Sequence, residues 1–418
     1  ERPRARSSAP AAGAPFVGRE GHLEALRGAF ARARGGRATT VHIHGTSGAG
    51  KTALVRRFLD ELSAAGEAVV LEGRCYERES VPYKAVDSLI DALSRHLARL
   101  ARLDAAELMP RDVHAVVRLF PVLGRVDAIA RAPRREVEPP DARELRRRGF
   151  AALREILARI ADRRPLVLFI DDLQWGDADS AALLTDLLRE PDAPALLLLL
   201  CYRSEDAARS ELVARLLPPD AAGADAGDVR ALAVGALSPE EGREGRAAPE
   251  SSRGAGVRLG SVLAGRLLRL PAAARRLLEV VAVSGKPLGR RDAREAAGLT
   301  PDEEQAALAA LRAGSAIRTR GQRDEQELET FHDRIREAAL AQLGAAELAE
   351  VHLALAAVLE ASGRAEADVL AMHFRRGGRA DEAARYAVKA GDRAAEALAF
   401  DRAAEHYAAA LEAAPAGA

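Results

Sequence analysis

The segment Gly45-Thr-Ser-Gly-Ala-Gly-Lys-Thr52 has the form G-x-x-x-x-G-K-[ST]. Its residue types and spacing suit the capture of phosphate. Gly45, Gly48 and Gly50, with the small Ala49 among them, let the backbone turn tightly and aim N–H groups at an anion. A helix starting there adds its positive N-terminal dipole. Lys51 would reach the β- and γ-phosphates of a nucleoside triphosphate, and the Thr52 hydroxyl would ligate Mg²⁺. The plainer reading is a glycine-rich turn with a chance Lys-Thr pair.

A second chemical cluster follows the apolar run Leu166 to Ile170 and consists of Asp171 and Asp172. An acid at such a strand end holds the Mg²⁺ shell in phosphate-transfer sites, a role that falls to Asp171. Asp172 would orient or polarise the attacking water. The bland alternative is a pair of helix-capping acids. Arg203 ends another apolar run and would neutralise charge on the γ-phosphate; otherwise it is a surface arginine.

These groups need strands to place them. Thr39 to His44 alternates β-branched or apolar residues with polar ones, as a strand does. Apolar residues at 53, 54, 55, 58, 59 and 62 have helical spacing. Further strands are expected at 68–72, 165–172, 195–202 and, more weakly, 229–237, with helices over 86–103 and 142–161. The continuous apolar runs suit strands buried on both faces. Strands alternating with helices predict a parallel α/β sheet with helices on both faces, and ligands sit at the carboxyl ends of its strands. Gly242 to Gly256 has almost no apolar period and is expected to be a loop. Beyond Ser261 the chain is expected to be helical, apart from a strand pair at 316–320 and 327–331. Tyr386 and Tyr407 sit in similar Ala-rich surroundings at an offset of 21, which suggests helical hairpins.

Composition narrows the function. The 418 residues allow two to four domains. Lys+Arg and Asp+Glu are both 62, which argues against a dedicated nucleic-acid or membrane surface. Cys75 and Cys201 give no disulfide framework and point to a reduced cytoplasm. The longest apolar run is too short to span a bilayer. His42 and His44 share a strand face and could bind metal, but no third ligand lies near; core histidines are the simpler reading. Glu1 to Pro15 is rich in Arg, Ala, Ser and Pro, as linkers are, and the non-Met start suggests a fragment.

Taken in order, Phe16-Val-Gly-Arg-Glu20, GTSGAGKT, Gly73-Arg-Cys-Tyr76 with Pro82-Tyr83, LVLFIDDLQWGD and the strand ending CYR resemble the AAA-type ATPase module of the STAND class, the signal-transduction ATPases with numerous domains. The resemblance covers about residues 16 to 237. It implies a P-loop ATPase using ATP/ADP and Mg²⁺, with Phe16, Val17 and Gly18 against the adenine and Asp172 serving hydrolysis. Trp175 and Asp177 complete the LQWGD-like signature. LRLPAAARRLLEVVAVSGKPLG resembles the start of the family's winged-helix domain, over 261–345. Phe331-His-Asp-Arg-Ile-Arg-Glu-Ala338 resembles its FxHDxIREA segment, which implies that His332 touches bound ADP. A helix-capping His-Asp pair is the alternative. Residues 346–418 resemble tetratricopeptide-type sensor helices, expected to carry protein partners.

One departure from the family is visible. Residues 238–260 show neither the helices nor the Gly-x-Pro turn of its lid, so a shortened lid or linker is expected there. The resemblance implies a slow ATP-hydrolysing switch, attached to an upstream kinase or to a transcription-regulator domain, with self-association possible. The kinase motifs themselves are absent from the sequence. The competing readings are a nucleotide-bound, non-enzymatic interaction scaffold and a DNA-binding regulator.

Overall fold

The computed structural model describes residues 19–76, 81–133, 141–217, 229–235, 269–320 and 326–413, together with Gly265 and Leu267. The expected adenine contacts Phe16, Val17 and Gly18, and the expected lid at 238–260, lie outside these residues.

The first part is built on five parallel strands: β1 (Thr39–Gly45), β2 (Val69–Arg74), β3 (Leu166–Asp171), β4 (Leu196–Arg203) and β5 (Val229–Ala233). Their order across the sheet is β2-β3-β4-β1-β5. Thr39 pairs with Leu197 and Gly45 with Arg203, while Arg74 pairs with Asp171. The carboxyl ends of β1, β2, β3 and β4 are therefore aligned.

The apolar runs divide by alternation, because successive strand side chains point to opposite faces. Val167, Phe169, Leu197, Leu199 and Ile43 pack on one face with Leu26 and Phe30 of α1 (Glu20–Arg34) and Leu54 and Phe58 of α2 (Lys51–Ala65). Leu166, Leu168, Ile170, Leu198 and Leu200 enter the cluster on the other face. That face is covered by α3 (Lys84–Arg99), α5 (Val113–Leu119), α7 (Ala142–Arg163) and α8 (Ala178–Leu187). Short helices α4 (Arg102–Glu107), α6 (Asp127–Ala130) and α9 (Glu211–Leu216) complete the layer. Helix α6 has only four residues, too few for a periodic pattern to show in the sequence.

His42 is buried on β1, edge-on to Tyr202 with centroids 6.1 Å apart. Burial, then the neighbouring His44, lower its pKa to about 4, so it is a neutral core residue at ordinary pH. Among the described residues, no group of three or more His, Cys, Asp and Glu is arranged to hold a metal ion. Cys75 and Cys201 are free and buried.

The second part begins with α10 (Ala272–Ser284), β6 (Leu288–Gly289), α11 (Arg290–Ala296) and α12 (Pro301–Ala313). Thr300 opens α12 with a capping box to Glu303, satisfying N–H groups at the helix start. Strands β7 (Ile317–Arg320) and β8 (Glu327–Thr330) form the expected pair, and α13 (Asp333–Leu340) follows. β6 joins them in an antiparallel sheet of order β6-β8-β7; at two residues it is too short to read from sequence.

Four helices end the described chain: α14 (Ala345–Ser362), α15 (Ala367–Arg376), α16 (Ala380–Glu396) and α17 (Phe400–Ala413). Leu355, Leu359, Val369, Leu370 and Phe374 share one apolar cluster with α10 to α13, across residue 345. The tyrosines at an offset of 21 lie on neighbouring helices, each against the helix before it. Tyr386 stacks on Phe374 at 5.7 Å, and a Cβ on Gly391 would lie 2.6 Å from the Tyr407 ring. Ala394, Leu398, Ala399 and Ala403, at the α16–α17 turn, are buried in the core cluster of the first part. Among the described residues, no single helix is long and apolar enough to cross a membrane.

Candidate nucleotide-binding site

The phosphate loop leaves β1 at Gly45 and enters α2 at Lys51. A Cβ at position 45 would lie 2.1 Å from the Val234 carbonyl oxygen, so only glycine fits beside the end of β5. Gly48 and Gly50 have φ of +81° and +88°, the left-handed region that favours glycine. Ala49 packs partly against the α1–α2 cluster.

Lys51 is buried at the first position of α2 and donates to the carbonyls of Gly45 (2.7 Å) and Thr46 (2.9 Å). Burial lowers its pKa from the ordinary value. The next residue, Thr52, donates its hydroxyl to Asp171, at 3.1 Å from Oδ1 and 3.0 Å from Oδ2. A hydroxyl and a carboxylate this close, beside a glycine cradle, form a hard-oxygen donor set that fits Mg²⁺. Burial and the neighbouring Asp172 push the Asp171 pKa above the ordinary carboxylate range.

Asp172 faces elsewhere. Its φ of +54° swings it into the left-handed region, which aspartate tolerates better than most residues. Its Oδ2 accepts from Arg74 Nε at 2.9 Å and forms an ion pair with Arg74 Nη2 at 2.7 Å. Its Oδ1 accepts from Gln174 Nε2 at 3.1 Å. Gln174 in turn accepts the Arg203 backbone N–H at 3.2 Å, tying the ends of β2, β3 and β4 together. Trp175 packs partly buried on the core, and Asp177 caps α8 by accepting the Ser180 N–H at 3.0 Å.

Arg203 is buried at the end of β4, with Nη1 3.9 Å from Glu337 Oε1 of α13. His332 is exposed at the N-cap of α13, where its Nδ1 accepts the Arg334 N–H at 3.3 Å. The FHDRIREA segment thus reaches the strand ends through Glu337, while the geometry at His332 matches its capping alternative.

Several residues close the site without having carried a role in the sequence reading. Arg19 is buried, with φ of +78°, and donates to the carbonyls of Ala49 (3.0 Å) and Gly235 (2.6 Å). It pins the phosphate loop to the end of β5. Arg74 and Gln174 hold Asp172. Glu205 accepts the Ser47 N–H at 2.9 Å. Arg19, Arg74 and Gln174 lie inside the FVGRE, GRCY and LQW motifs, so their signal was present; Glu205 lies in no motif.

With this geometry in place, the relatives can be compared. Residues 15–200 match the family described as the AAA ATPase domain. This part of the chain is similar to that family, and its parallel sheet, with the glycine-rich loop between β1 and α2, is followed by a helical region. Among solved structures, a signal transduction ATPase with numerous domains (STAND) protein with a tetratricopeptide repeat sensor, from Pyrococcus horikoshii, aligns at 14% identity and a TM-score of 0.48. The alignment covers 96% of this chain, which spans 59% of that protein. Cdc6p from Pyrobaculum aerophilum aligns at 13% identity and a TM-score of 0.35, over 80% of this chain and 98% of that one. Drosophila ORC bound to AT-rich DNA and Cdc6 gives 14% identity and a TM-score of 0.26, over 77% and 94%. No curated protein matches in sequence.

Proposed function

We propose that this chain is the ATP-binding switch module of a larger signalling protein of the STAND type, linked to a serine/threonine kinase or to a transcription regulator, with low ATP turnover. The observation that carries the nucleotide reading is the Thr52–Asp171 contact of 3.0–3.1 Å beside Lys51 at the start of α2. The P-loop N–H groups and Lys51 would hold the phosphates of ATP or ADP, and Thr52 with Asp171 would hold Mg²⁺. Bound there, Mg²⁺ supplies charge neutralisation to the phosphates. Arg203 is placed to add a further positive charge at the strand ends. Phe16, Val17 and Gly18 are proposed to meet the adenine and His332 to meet ADP. Residues 261–345 are read as the winged-helix-like unit and the last four helices as a partner-binding, tetratricopeptide-like sensor. Cytoplasmic residence and self-association belong to the same proposal.

The partners of Asp172 support low turnover. To act on water it must loosen from Arg74 and Gln174, which occupy both its oxygens. The same observation favours the second reading, a nucleotide-bound interaction scaffold. Titration calorimetry with ATP·Mg²⁺ tests the binding reading. Lys51→Ala removes a charge-assisted contact and is expected to weaken binding by roughly 1.5–3 kcal/mol. Equal affinity for wild type and variant rejects the P-loop assignment. Asp172→Asn then separates the two readings: a switch loses most hydrolysis while keeping binding, whereas a scaffold has no turnover to lose.

A further inference from the structure

The Glu205 carboxylate lies on the phosphate loop itself. Its Oε1 accepts the backbone N–H of Ser47 at 2.9 Å. The turn that carries it is fixed to β1 from both sides. Ser204 donates its N–H to the Gly45 carbonyl at 3.3 Å, and Ser204 Oγ is 3.2 Å from His44 Nδ1. Glu205 also follows Arg203 by two residues; desolvation opposes its charge, but backbone hydrogen bonds and then the charges of Lys51 and Arg203 together leave its pKa lowered. The carboxylate therefore uses a loop N–H and sits among the cations that the proposed function gives to the terminal phosphates.

We propose that Glu205 is a specificity-determining residue that biases this site toward the nucleoside diphosphate over the triphosphate. The inference rests on the nucleotide reading above. A carboxylate already on the loop competes with an arriving phosphate for the same donors and repels it. The third phosphate brings the added negative charge toward Lys51 and Arg203, so it meets this repulsion most directly. ADP carries less charge and can engage the loop with Glu205 in place. The side chain is exposed, so the repulsion is screened and modest in size.

The test is titration calorimetry of wild type, Glu205→Gln and Glu205→Lys with Mg²⁺ and either ADP or a non-hydrolysable ATP analogue. Thermal melts establish that each variant is folded. Glu205→Gln keeps a hydrogen-bond acceptor for Ser47 and removes the charge. It is expected to tighten the ATP analogue about three- to fivefold while moving ADP less than about twofold. Glu205→Lys is expected to widen that ratio further. Equal tightening of both nucleotides, an unchanged ratio, or weaker binding of the ATP analogue overturns the proposal. Failure of wild type to bind either nucleotide overturns the nucleotide reading together with it, whereas binding with an unchanged ratio removes this proposal alone.

Discussion

The helical part meets the parallel-sheet part at two very different junctions. At the nucleotide end, α13 reaches the strand ends through Arg203 and Glu337, 3.9 Å apart, with the Glu337 side chain 63% exposed. At the α8 end, the α16–α17 turn is sunk into the main core, with Leu398 and Ala399 buried. Tyr83 donates its hydroxyl to the Leu398 carbonyl at 2.9 Å, and Asp179 accepts the Arg402 N–H at 2.9 Å. Arg146 pairs with Asp179 at 3.2 Å and lies over both Phe150 and Phe400. One junction carries a screened ion pair; the other is a buried apolar seat that also carries hydrogen bonds and an ion pair. Exposed pairs contribute little, and buried apolar surface contributes much. Movement driven from the nucleotide site is therefore expected to open the α13 side while the tail stays seated on α8.

The largest effect should come from breaking the seat. Leu398→Asp removes apolar burial and places a carboxylate in the core, at an expected cost of about 3 kcal/mol or more. Leu398 has φ of +59°, a conformation aspartate tolerates, so the change probes the seat rather than the turn. Hydrogen exchange should rise across 380–413 and leave β1 and β4 protected. Unchanged protection in 380–413 would show that the tail does not depend on this seat.

A smaller effect is expected from Asp179, and it carries a pH signature. Burial outweighs the Arg402 N–H and Arg146 in setting its pKa, which rises to about 6. A seat that opens returns Asp179 to an ordinary value near 4. The seated form thus holds the proton more tightly. Its stabilising contribution is fully present below about pH 4 and is lost as pH rises through about 6. Asp179→Asn keeps the acceptor for Arg402 and removes the titration. Exchange in 380–413 should lose its dependence on pH over that window, once the intrinsic exchange rates are divided out. A variant with the wild-type pH dependence assigns the effect to another group.

The two junctions also mark what the sequence could tell. The sheet was legible because LVLFIDD and LLLLLCYR are continuous apolar runs, and burial on both faces leaves that trace. The meeting of Thr52 with Asp171 was legible because one closes the loop after β1 and the other ends β3. The seat was not. Leu398 and Ala399 look like the rest of an alanine-rich tail, and their partners Tyr83 and Asp179 are more than two hundred residues away in the chain. Helical periodicity says which face is buried and is silent on what buries it. Arg74 and Asp172 show the same limit at the site. Both were visible within their motifs, but their pairing follows from the register that sets Arg74 beside Asp171 across β2 and β3.

The smallest effect belongs to Glu337. Glu337→Ala removes the partner of Arg203 at the nucleotide end, and screening limits the loss to under about 1 kcal/mol. Exchange across 333–340 should rise by less than about fivefold at low ionic strength and show almost no change at high salt. The Leu398→Asp effect should persist at both salt concentrations, because apolar burial is not screened by ions. If Glu337→Ala instead loosens α13 as strongly as Leu398→Asp loosens α17, and does so at high salt, the nucleotide-end junction is the stronger one and the expected order of opening reverses. With the expected ranking, a phosphate that recruits Arg203 draws it away from a weak, screened pair with Glu337. Breaking that pair lies within the range that one charge-assisted contact supplies, roughly 1.5–3 kcal/mol, whereas unseating the tail requires more than that contact can give.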